Sequence, residues 1–363
     1  MLQSLQTGSS QLPTLGRQEL SRAQELSQPT QVPATRPKAD PLFHRLLRKL
    51  RTNDFCFSAM VSAFKKLQGL GISVGPNHFY WPVPDLDSLD HPSLNAEALN
   101  QGLDFRFGRQ LEFLQQVTEQ YKREWTFPDE PRPGQRYHYN NGFFETVDAE
   151  MAYSFVRHFK PARIIEVGGG HSTRLLSEAV RSNFKQDGVK AEHITIDPCL
   201  DRLREPSLNG DVHILQRPVQ HVDLDLFSSL QEGDILFLDS SHVVSVGSDV
   251  VYEYLGVLPR LNKGVLVHAH DIFLPFDYPR DLVDNLSFWS EQYLLTAFLR
   301  FNSCFEVLWS SSAMQGFHRE ILDSTFPRWK GSYKKLPREV RRFVPRCGDD
   351  RIWPSSFWMR RTC

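Results

Sequence analysis

One short segment, residues 163–173, limits the possible folds of this chain more than any other. It reads Arg-Ile-Ile-Glu-Val-Gly-Gly-Gly-His-Ser-Thr. Apolar Ile164 and Ile165 lead to an acid and three glycines, and a helix with regularly spaced apolar residues begins at Ser172. This order predicts a strand, a tight glycine turn and a helix N-terminus, with room for a ligand where a side chain would collide.

The spacing of the glycines separates several kinds of nucleotide-binding turn. Gly168 and Gly170 fit the first two positions of the dinucleotide fingerprint G-x-G-x-x-G, but Thr173 occupies the third. The chain has no G-x-x-x-x-G-K-[ST] sequence and therefore no P-loop. Glu166, just before the glycines, favours a cationic or amino-bearing ligand over a pyrophosphate. The segment resembles motif I of class I methyltransferases that use S-adenosylmethionine (SAM); a glycine turn without a ligand is the alternative.

Four further apolar segments predict strands that alternate with helices. They are residues 193–197, 212–215, 234–239 and 263–270. Such alternation predicts an α/β fold with a doubly wound, mostly parallel, Rossmann-like sheet. Ligands of these sheets bind at the carboxyl ends of the strands. The acids predicted at that edge are Glu166, Asp197, Asp239 and Asp271.

The cofactor assignment combines this geometry with the resemblance. An acid at the end of the second strand accepts hydrogen bonds from ribose hydroxyls in Rossmann-like folds, which makes Asp197 the predicted ribose ligand. The resemblance implies SAM as the cofactor. The predicted cofactor-binding residues are Glu166, Gly168, Gly169, Gly170, Ser172, Asp197 and Asp239.

Several blocks downstream make the resemblance more specific. Residues 239–242 (Asp-Ser-Ser-His), 258–264 and 267–279, the last with His-Asp-Ile-Phe-Leu-Pro, resemble a bacterial subgroup of class I methyltransferases. That subgroup is distantly similar to macrocin-type sugar O-methyltransferases and cephalosporin-hydroxylase-like proteins. Residues 139–144 and 290–295 also fit it. The resemblance implies a sheet that closes with an antiparallel last strand, predicted at 356–361.

The predicted reaction centre follows the fourth and fifth strands. His268 and His270 lie on one face of a strand, because strand side chains alternate, and Asp271 follows directly. We predict His242, His270 and Asp271 as catalytic residues, since a histidine near neutral pKa suits the removal of a hydroxyl proton. By the resemblance, Asp239, His270 and Asp271 are candidate ligands of a divalent metal, although histidine favours a transition metal over magnesium. His268 is interpreted as a structural core histidine.

The pattern along the chain predicts three regions. Residues 1–40 are rich in Gln, Ser, Thr and Pro and are expected to be a disordered tail, with a targeting sequence as the alternative. Residues 41–140 carry amphipathic helices and are expected to form a helical cap; a membrane-surface role is the alternative. Residues 141–363 form the predicted methyltransferase core. A basic insertion at 311–355 interrupts this core.

Composition narrows the class of protein and its compartment. The formal net charge of −1 provides no field for nucleic acid. Five scattered cysteines, without a C-x-x-C pair, argue against a disulfide scaffold or a structural zinc site and favour the cytoplasm. No apolar stretch reaches membrane-spanning length, and the N-terminus lacks the plan of a signal peptide.

The sequence therefore predicts a SAM-dependent methyltransferase that acts on oxygen of a small-molecule or glycan-like acceptor. It gives no indication of the oligomeric state. Two alternatives remain open. One is a metal-dependent hydroxylase-like enzyme that keeps the fold and uses the His/Asp cluster for iron. The other is a non-catalytic SAM-binding module built around the basic insertion, whose charges would otherwise form a solvated face.

Overall fold

A computed structural model describes residues 54–73, 82–84, 101–199, 208, 210–348 and 350–363. The chain divides into two compact units, residues 27–93 in one and residues 94–363 in the other. The first unit contains helix α1 (Asp54–Gly69), which confirms part of the helical pattern expected there. The predicted tail, residues 1–40, lies outside the described residues. Among those described, no helix combines the length and apolar character needed to cross a membrane.

The second unit is built on a seven-stranded sheet. In chain order its strands are β1 (Arg163–Val167), β2 (Glu192–Ile196), β3 (His213–Leu215), β4 (Ile235–Leu238), β5 (Leu266–Ala269), β6 (Phe305–Ser310) and β9 (Phe357–Arg361); a separate hairpin pairs β7 (Arg346–Cys347) with β8 (Arg351–Ile352). Their spatial order is β3-β2-β1-β4-β5-β9-β6. The strands from β3 to β5 pair in parallel, and β9 runs antiparallel to both neighbours. The predicted fold class is confirmed, including its antiparallel strand.

Helices connect the strands and cover both faces of the sheet. They are α2 (Phe107–Tyr121), α3 (Asp148–Phe159), α4 (His171–Asp187), α5 (Leu224–Ser228), α6 (Asp249–Tyr252), α7 (Arg280–Asp284), α8 (Glu291–Arg300), α9 (Ser311–Phe317), α10 (Arg319–Thr325), α11 (Ser332–Lys335) and α12 (Arg338–Arg341). The sequence of residues 248–261 predicts one continuous helix, but the structure has α6, then a π-helical turn, Glu253–Val257, and a 3₁₀ turn, Leu258–Arg260. Pro259 cannot donate the backbone hydrogen bond that a continuous helix needs.

Helix α2 packs at the antiparallel side of the sheet. Gln110, fully buried, accepts a hydrogen bond from the backbone N–H of Ser310 in β6 at 2.9 Å, and Leu114 and Val117 join the core beside α3. This part of the predicted cap therefore covers a face of the sheet. The placement of the remainder of residues 41–140 over the cofactor side stays a prediction.

Strand alternation sorts the core into two sides. Ile165, Val167, Leu236 and Leu238 belong to one apolar cluster, and Ile164, Ile235 and Phe237 belong to the other. On the second side a row crosses the sheet from Thr195 through Glu166, Phe237 and His268 to Trp358. Buried polar residues generally need hydrogen-bond partners. Within this row, Thr195 Oγ1 donates to the Glu166 carboxylate at 2.7 Å.

The final strands form a disulfide that the cysteine count did not predict. Cys304 precedes β6 and Cys363 follows β9; their sulfurs are bonded, and their Cα atoms lie 5.0 Å apart. The neighbouring antiparallel strands bring the two residues together, since Thr362 N–H donates to the Cys304 carbonyl at 2.8 Å. The sequence argued against a disulfide scaffold and predicted no single pair; this pair forms because distant sequence positions can meet where adjacent strands end.

Candidate functional site

The turn after β1 requires glycine at its first position. Gly168 has φ +83°, and a Cβ on it would lie 1.8 Å from the backbone carbonyl oxygen of Asp239, which follows β4. No side chain fits between two backbones at that distance. Gly170 differs: its backbone is extended, and a Cβ there would meet nothing within 4 Å. The turn therefore leaves a cradle at Gly170, just before the N-terminus of α4.

Glu166 holds this turn from inside the core. Its carboxylate is fully buried and accepts hydrogen bonds from Ser172 Oγ, Thr173 Oγ1 and Thr195 Oγ1, each at 2.7 Å. His193 Nε2 lies 3.3 Å from the same carboxylate. This arrangement does not favour the predicted direct contact of Glu166 and the Ser172 hydroxyl with a cofactor, because each already bonds the other. Both side chains instead fix the glycine turn.

Asp197 lies where the ribose ligand was predicted, at the end of β2. Its Oδ2 accepts a hydrogen bond from the N–H of Gly169 at 2.8 Å, and its Oδ1 accepts one from the N–H of Cys199 at 2.6 Å. The carboxylate is half-buried and each oxygen keeps a second lone pair, which leaves acceptors for ligand hydroxyls. The predicted cofactor residues 168, 169, 170 and 197 are thus brought together at one edge of the sheet.

The predicted reaction centre also assembles at this edge. His242 Nε2 lies 3.4 Å from Asp239 Oδ1 and 3.4 Å from Asp271 Oδ2. His270 Nδ1 lies 3.7 Å from Asp239 Oδ1 and 3.6 Å from Asp271 Oδ1. The Asp239 side chain therefore faces the histidines, and its backbone carbonyl packs against Gly168. Its role as a direct cofactor contact stays a prediction.

Two residues of the centre have unusual backbone conformations. His242 has φ +61° and Asp271 has φ +56°. Residues other than glycine adopt this left-handed region at an energetic cost, and such strain is concentrated at functional sites. Hydrogen bonds hold both positions: the His242 carbonyl accepts from the N–H of Ser290 at 2.8 Å, and Ser355 Oγ donates to Asp271 Oδ1 at 3.0 Å.

The charges of the centre are strongly coupled. Burial alone would lower the pKa of His270, but the carboxylates of Asp271 and Asp239 outweigh it and raise that pKa well above its usual range. Burial would likewise lower the pKa of His242, and the hydrogen bonds with Asp239 and Glu291 raise it instead. Conversely, the histidines hold the pKa of Asp239 below its usual range despite burial. The cluster is a compact network of carboxylates and imidazoles.

Sequence reasoning missed Glu291, which lies behind His242. Glu291 is buried; its Oε2 lies 2.9 Å from His242 Nδ1, and its Oε1 accepts from Tyr254 O–H at 2.9 Å. The Trp289 ring lies 4.7 Å from the His242 ring. Glu291 is 49 residues from His242 in the chain, and the block 290–295 of the family resemblance was the one signal that pointed to it.

His268 is a core histidine, as interpreted from the sequence. It is fully buried, stacks on Phe237 at 3.9 Å, and its Nε2 lies 2.8 Å from Ser356 Oγ. Burial, the largest influence, and the neighbouring His270 charge lower its pKa well below the usual range. It is therefore neutral and supports the sheet behind His270.

A buried acid beside the centre makes stability depend on pH. Burial raises the pKa of Glu145 to about 7, against the opposing hydrogen bonds from the N–H groups of Gly142 and Asn140. Because this folded pKa exceeds the unfolded value, the folded state retains a proton that the unfolded state releases, and stability falls as pH rises from about 4.5 to 7. We expect Glu145→Gln to raise the free energy of unfolding by about 2–3 kcal/mol at pH 8 and by little at pH 4. Urea melts at both pH values measure this; an equal effect at both would contradict it.

Asp239, His270 and Asp271 are also disposed to share a cation. Each offers a ligand atom, and these atoms lie within 4.8 Å of one another. They are the three metal ligands predicted from the sequence. Two carboxylates and one imidazole are a donor set for divalent cations, and the imidazole favours Mn²⁺, Co²⁺ or Fe²⁺ over Mg²⁺. The residues present therefore fit a divalent metal.

Comparison with known proteins finds a sequence family that is similar to part of this chain. Residues 165–272 match a sequence family described as "Methyltransferase domain". A relative from Archaeoglobus fulgidus, described as an uncharacterized protein, is 29% identical over 202 residues, which cover 53% of this chain and 88% of the relative.

Two solved structures are among those similar to this chain. The SAH-bound methyltransferase PaMTH1 of Podospora anserina is 14% identical, with a TM-score of 0.33 and coverage of 76% of this chain and 94% of that one. An O-methyltransferase from Bacillus cereus in complex with SAH is 13% identical, with a TM-score of 0.27 and coverage of 69% and 91%.

The family match spans β1 to the residue after Asp271, the part that carries the glycine turn and the reaction centre. This part of the chain is therefore similar to a methyltransferase domain. The strand order around it is that of the Rossmann-like fold that the sequence predicted.

Proposed function

We propose that the chain transfers a methyl group from SAM to a hydroxyl oxygen of a small-molecule or glycan-like acceptor. The observation that carries the proposal is the juxtaposition of the Gly170 cradle with the His/Asp cluster. The cradle follows β1 and the cluster follows β4 and β5, so both lie at the carboxyl edge where Rossmann-like sheets bind ligands. The methyltransferase family match supports the same reading.

In this proposal Gly168, Gly169 and Gly170 admit the cofactor and Asp197 accepts its ribose hydroxyls. SAM supplies an electrophilic methyl group on its sulfonium. In its neutral form, His242 takes the proton that the acceptor hydroxyl must lose, through the Nε2 atom held between Asp239 and Asp271. Because the pKa of His242 is raised, this neutral form is favoured as pH rises. The positive charge of His270 offsets the negative charges of Asp239 and Asp271 in the centre. Holding the hydroxyl in line with the methyl group contributes much of the rate.

The cofactor site is tested by calorimetric titration of SAM. We expect micromolar binding, about −8 kcal/mol, and a loss of at least about 100-fold in Asp197→Ala. Glu192→Ala is the matched control, because Glu192 lies at the opposite, exposed end of β2. This variant should bind SAM with normal affinity. Asp197→Asn should fall between, because it keeps one acceptor for the backbone N–H groups. No SAM binding by the unaltered chain would overturn the proposal.

Metal binding is a separable part of the proposal. If Asp239, His270 and Asp271 hold a divalent cation, that cation would lower the pKa of a bound acceptor hydroxyl. We expect metal-free protein to bind Mn²⁺ or Co²⁺ more tightly than Mg²⁺, and Asp271→Asn to weaken this binding at least about tenfold. His213→Ala, in exposed β3, is the control. Iron binding combined with no SAM affinity would instead favour the hydroxylase-like alternative. Equal metal affinity in Asp271→Asn and His213→Ala would show that these three residues do not form a metal site.

A screen for the acceptor follows from SAM binding. SAH formation is measured over hydroxyl-bearing sugars, glycosides and phenols, with and without the metal that binds. Retained SAM affinity without turnover on any acceptor would favour the non-catalytic module.

A further inference from the structure

The basic segment at residues 328–346 borders the reaction centre, and we propose that it selects an acceptor carrying a carboxylate or phosphate group. The inference rests on the proposed function and adds the chemical class of its substrate. It is carried by three observations: the contacts of this segment with two loops, the charge it bears, and the way its arginines are held.

The first contact joins the segment to the loop before α3. Gly142 packs so closely on α12 that a Cβ would lie 2.7 Å from Cγ2 of Val340. Two residues further along this loop, the Phe144 ring lies 5.0 Å from the ring of His270. Helix α12 is therefore separated from the reaction centre by one loop only.

The second contact joins the segment to the loop after β5. The Asn285 amide donates a hydrogen bond to the carbonyl of Arg342, and the N–H of Arg346 donates to Asp281 Oδ2 at 3.2 Å. The same loop continues to Trp289, whose ring contacts His242. Residues 338–346 thus contact both loops that flank the centre.

Residues 328–346 carry a strong excess of positive charge. Residues 328–346 contain a single acid, Glu339, and eight bases: Arg328, Lys330, Lys334, Lys335, Arg338, Arg341, Arg342 and Arg346. Acids outside the segment neutralise part of this charge: Arg328 pairs with Asp129, and Lys334 and Arg346 pair with Asp350. Within the part of the chain that the structure describes, Arg338 and Arg342 have no ion pair.

Arg341 and Arg342, at the C-terminal end of α12, are positioned by carbonyl and aromatic contacts. Arg341 donates from its Nη2 to the carbonyls of Lys334 and Leu336 at 2.6 and 2.7 Å. The Arg342 guanidinium lies 4.5 Å over the ring of Phe343, which is 52% exposed. Carbonyl and aromatic contacts orient guanidinium groups while leaving their charge uncompensated, which suits the paired oxygens of a carboxylate or phosphate.

A small anionic acceptor fits these observations better than nucleic acid. The excess of eight bases over one acid lies within one short segment, residues 328–346, and the chain as a whole is at −1. A nucleic-acid surface requires a basic face long enough to follow many phosphates. A positive rim beside a reaction centre instead concentrates a small anion at that centre.

The test is calorimetric binding to the full chain in the presence of SAH. The probes are trigalacturonate for the carboxylate, inorganic pyrophosphate for the phosphate, and maltotriose as the neutral counterpart. We expect either trigalacturonate or pyrophosphate to bind with higher affinity than maltotriose. Binding of that anion should weaken at least about tenfold in the double variant Arg338→Ala/Arg342→Ala, and less when both become lysine. Lys263→Ala, which removes a positive charge at the opposite edge of the sheet before β5, should bind normally.

Three results would overturn the inference: neither anion binding more tightly than maltotriose, no loss in the double alanine variant, or tighter binding of a single-stranded oligonucleotide than of either anion. Circular dichroism of the variants separates loss of binding from loss of fold. SAH binding in the same titrations distinguishes the two proposals. If SAH fails to bind while an anion binds through the arginines, the proposed methyl transfer falls and the anion site stands.

Discussion

Replacing Gly168 by alanine should destabilise the folded chain by more than about 4 kcal/mol and abolish SAM binding. The new Cβ would lie 1.8 Å from the Asp239 carbonyl oxygen, and the backbone at φ +83° is itself unfavourable for alanine. Relief requires β1 and β4 to separate at their carboxyl ends, because the obstacle is backbone and cannot change rotamer. Urea denaturation gives the free energy of unfolding, and calorimetry gives the affinity for SAM.

Gly170→Ala is the matched control for this prediction. It adds the same methyl group two residues away, on an extended backbone where nothing lies within 4 Å. We expect the free energy of unfolding to change by less than about 1 kcal/mol, while SAM binds at least about tenfold more weakly because the methyl group fills the cradle. Normal SAM affinity in Gly170→Ala would show that the cradle is not the cofactor site. Normal stability in Gly168→Ala would contradict the close approach of the two strands.

The sequence predicted the sheet because its signals are local. Each predicted strand is a short apolar segment that ends at a turn or an acid, as in Ile235–Leu238 before Asp239. The carboxyl ends of parallel strands meet at one edge, so the order of strands alone brought Asp239, His270 and Asp271 together. Strand alternation selected His270, and the family resemblance selected the three residues as candidate ligands.

The same local signals did not predict which side chains would contact one another across the fold. Glu166 precedes the glycines in sequence, yet strand alternation turns it into the core, where Thr195 from β2 bonds it. Glu291 reaches His242 because the start of α8 is hydrogen-bonded to the His242 carbonyl, and the disulfide joins cysteines 59 residues apart. Contacts of this kind depend on tertiary packing, which periodicity and spacing do not report.

In the proposed mechanism, the buried Glu291 indicates which nitrogen of His242 would face the acceptor. A neutral imidazole carries one N–H; if Nδ1 carries it and donates to Glu291, the lone pair is on Nε2. That nitrogen is the one between Asp239 and Asp271. Glu291 therefore acts as a positioning residue, since it contacts no reacting atom and selects the tautomer that can accept a proton from the hydroxyl.

We expect Glu291→Ala to lower kcat by about 10²–10⁴-fold, with the KM for SAM nearly unchanged, because an imidazole without this partner loses both its orientation and its tautomer. Glu291→Gln should lose less, since its amide oxygen still accepts from Nδ1–H. Glu306→Gln is the control, because Glu306 lies in β6 and pairs there with Arg106 and Arg360 from other elements. The ¹⁵N shifts of the His242 ring give a readout that needs no acceptor: the Nδ1–H tautomer should dominate the neutral form in the unaltered chain and lose its preference in Glu291→Ala. A fall in kcat without a change of tautomer would mean that Glu291 supports the fold alone.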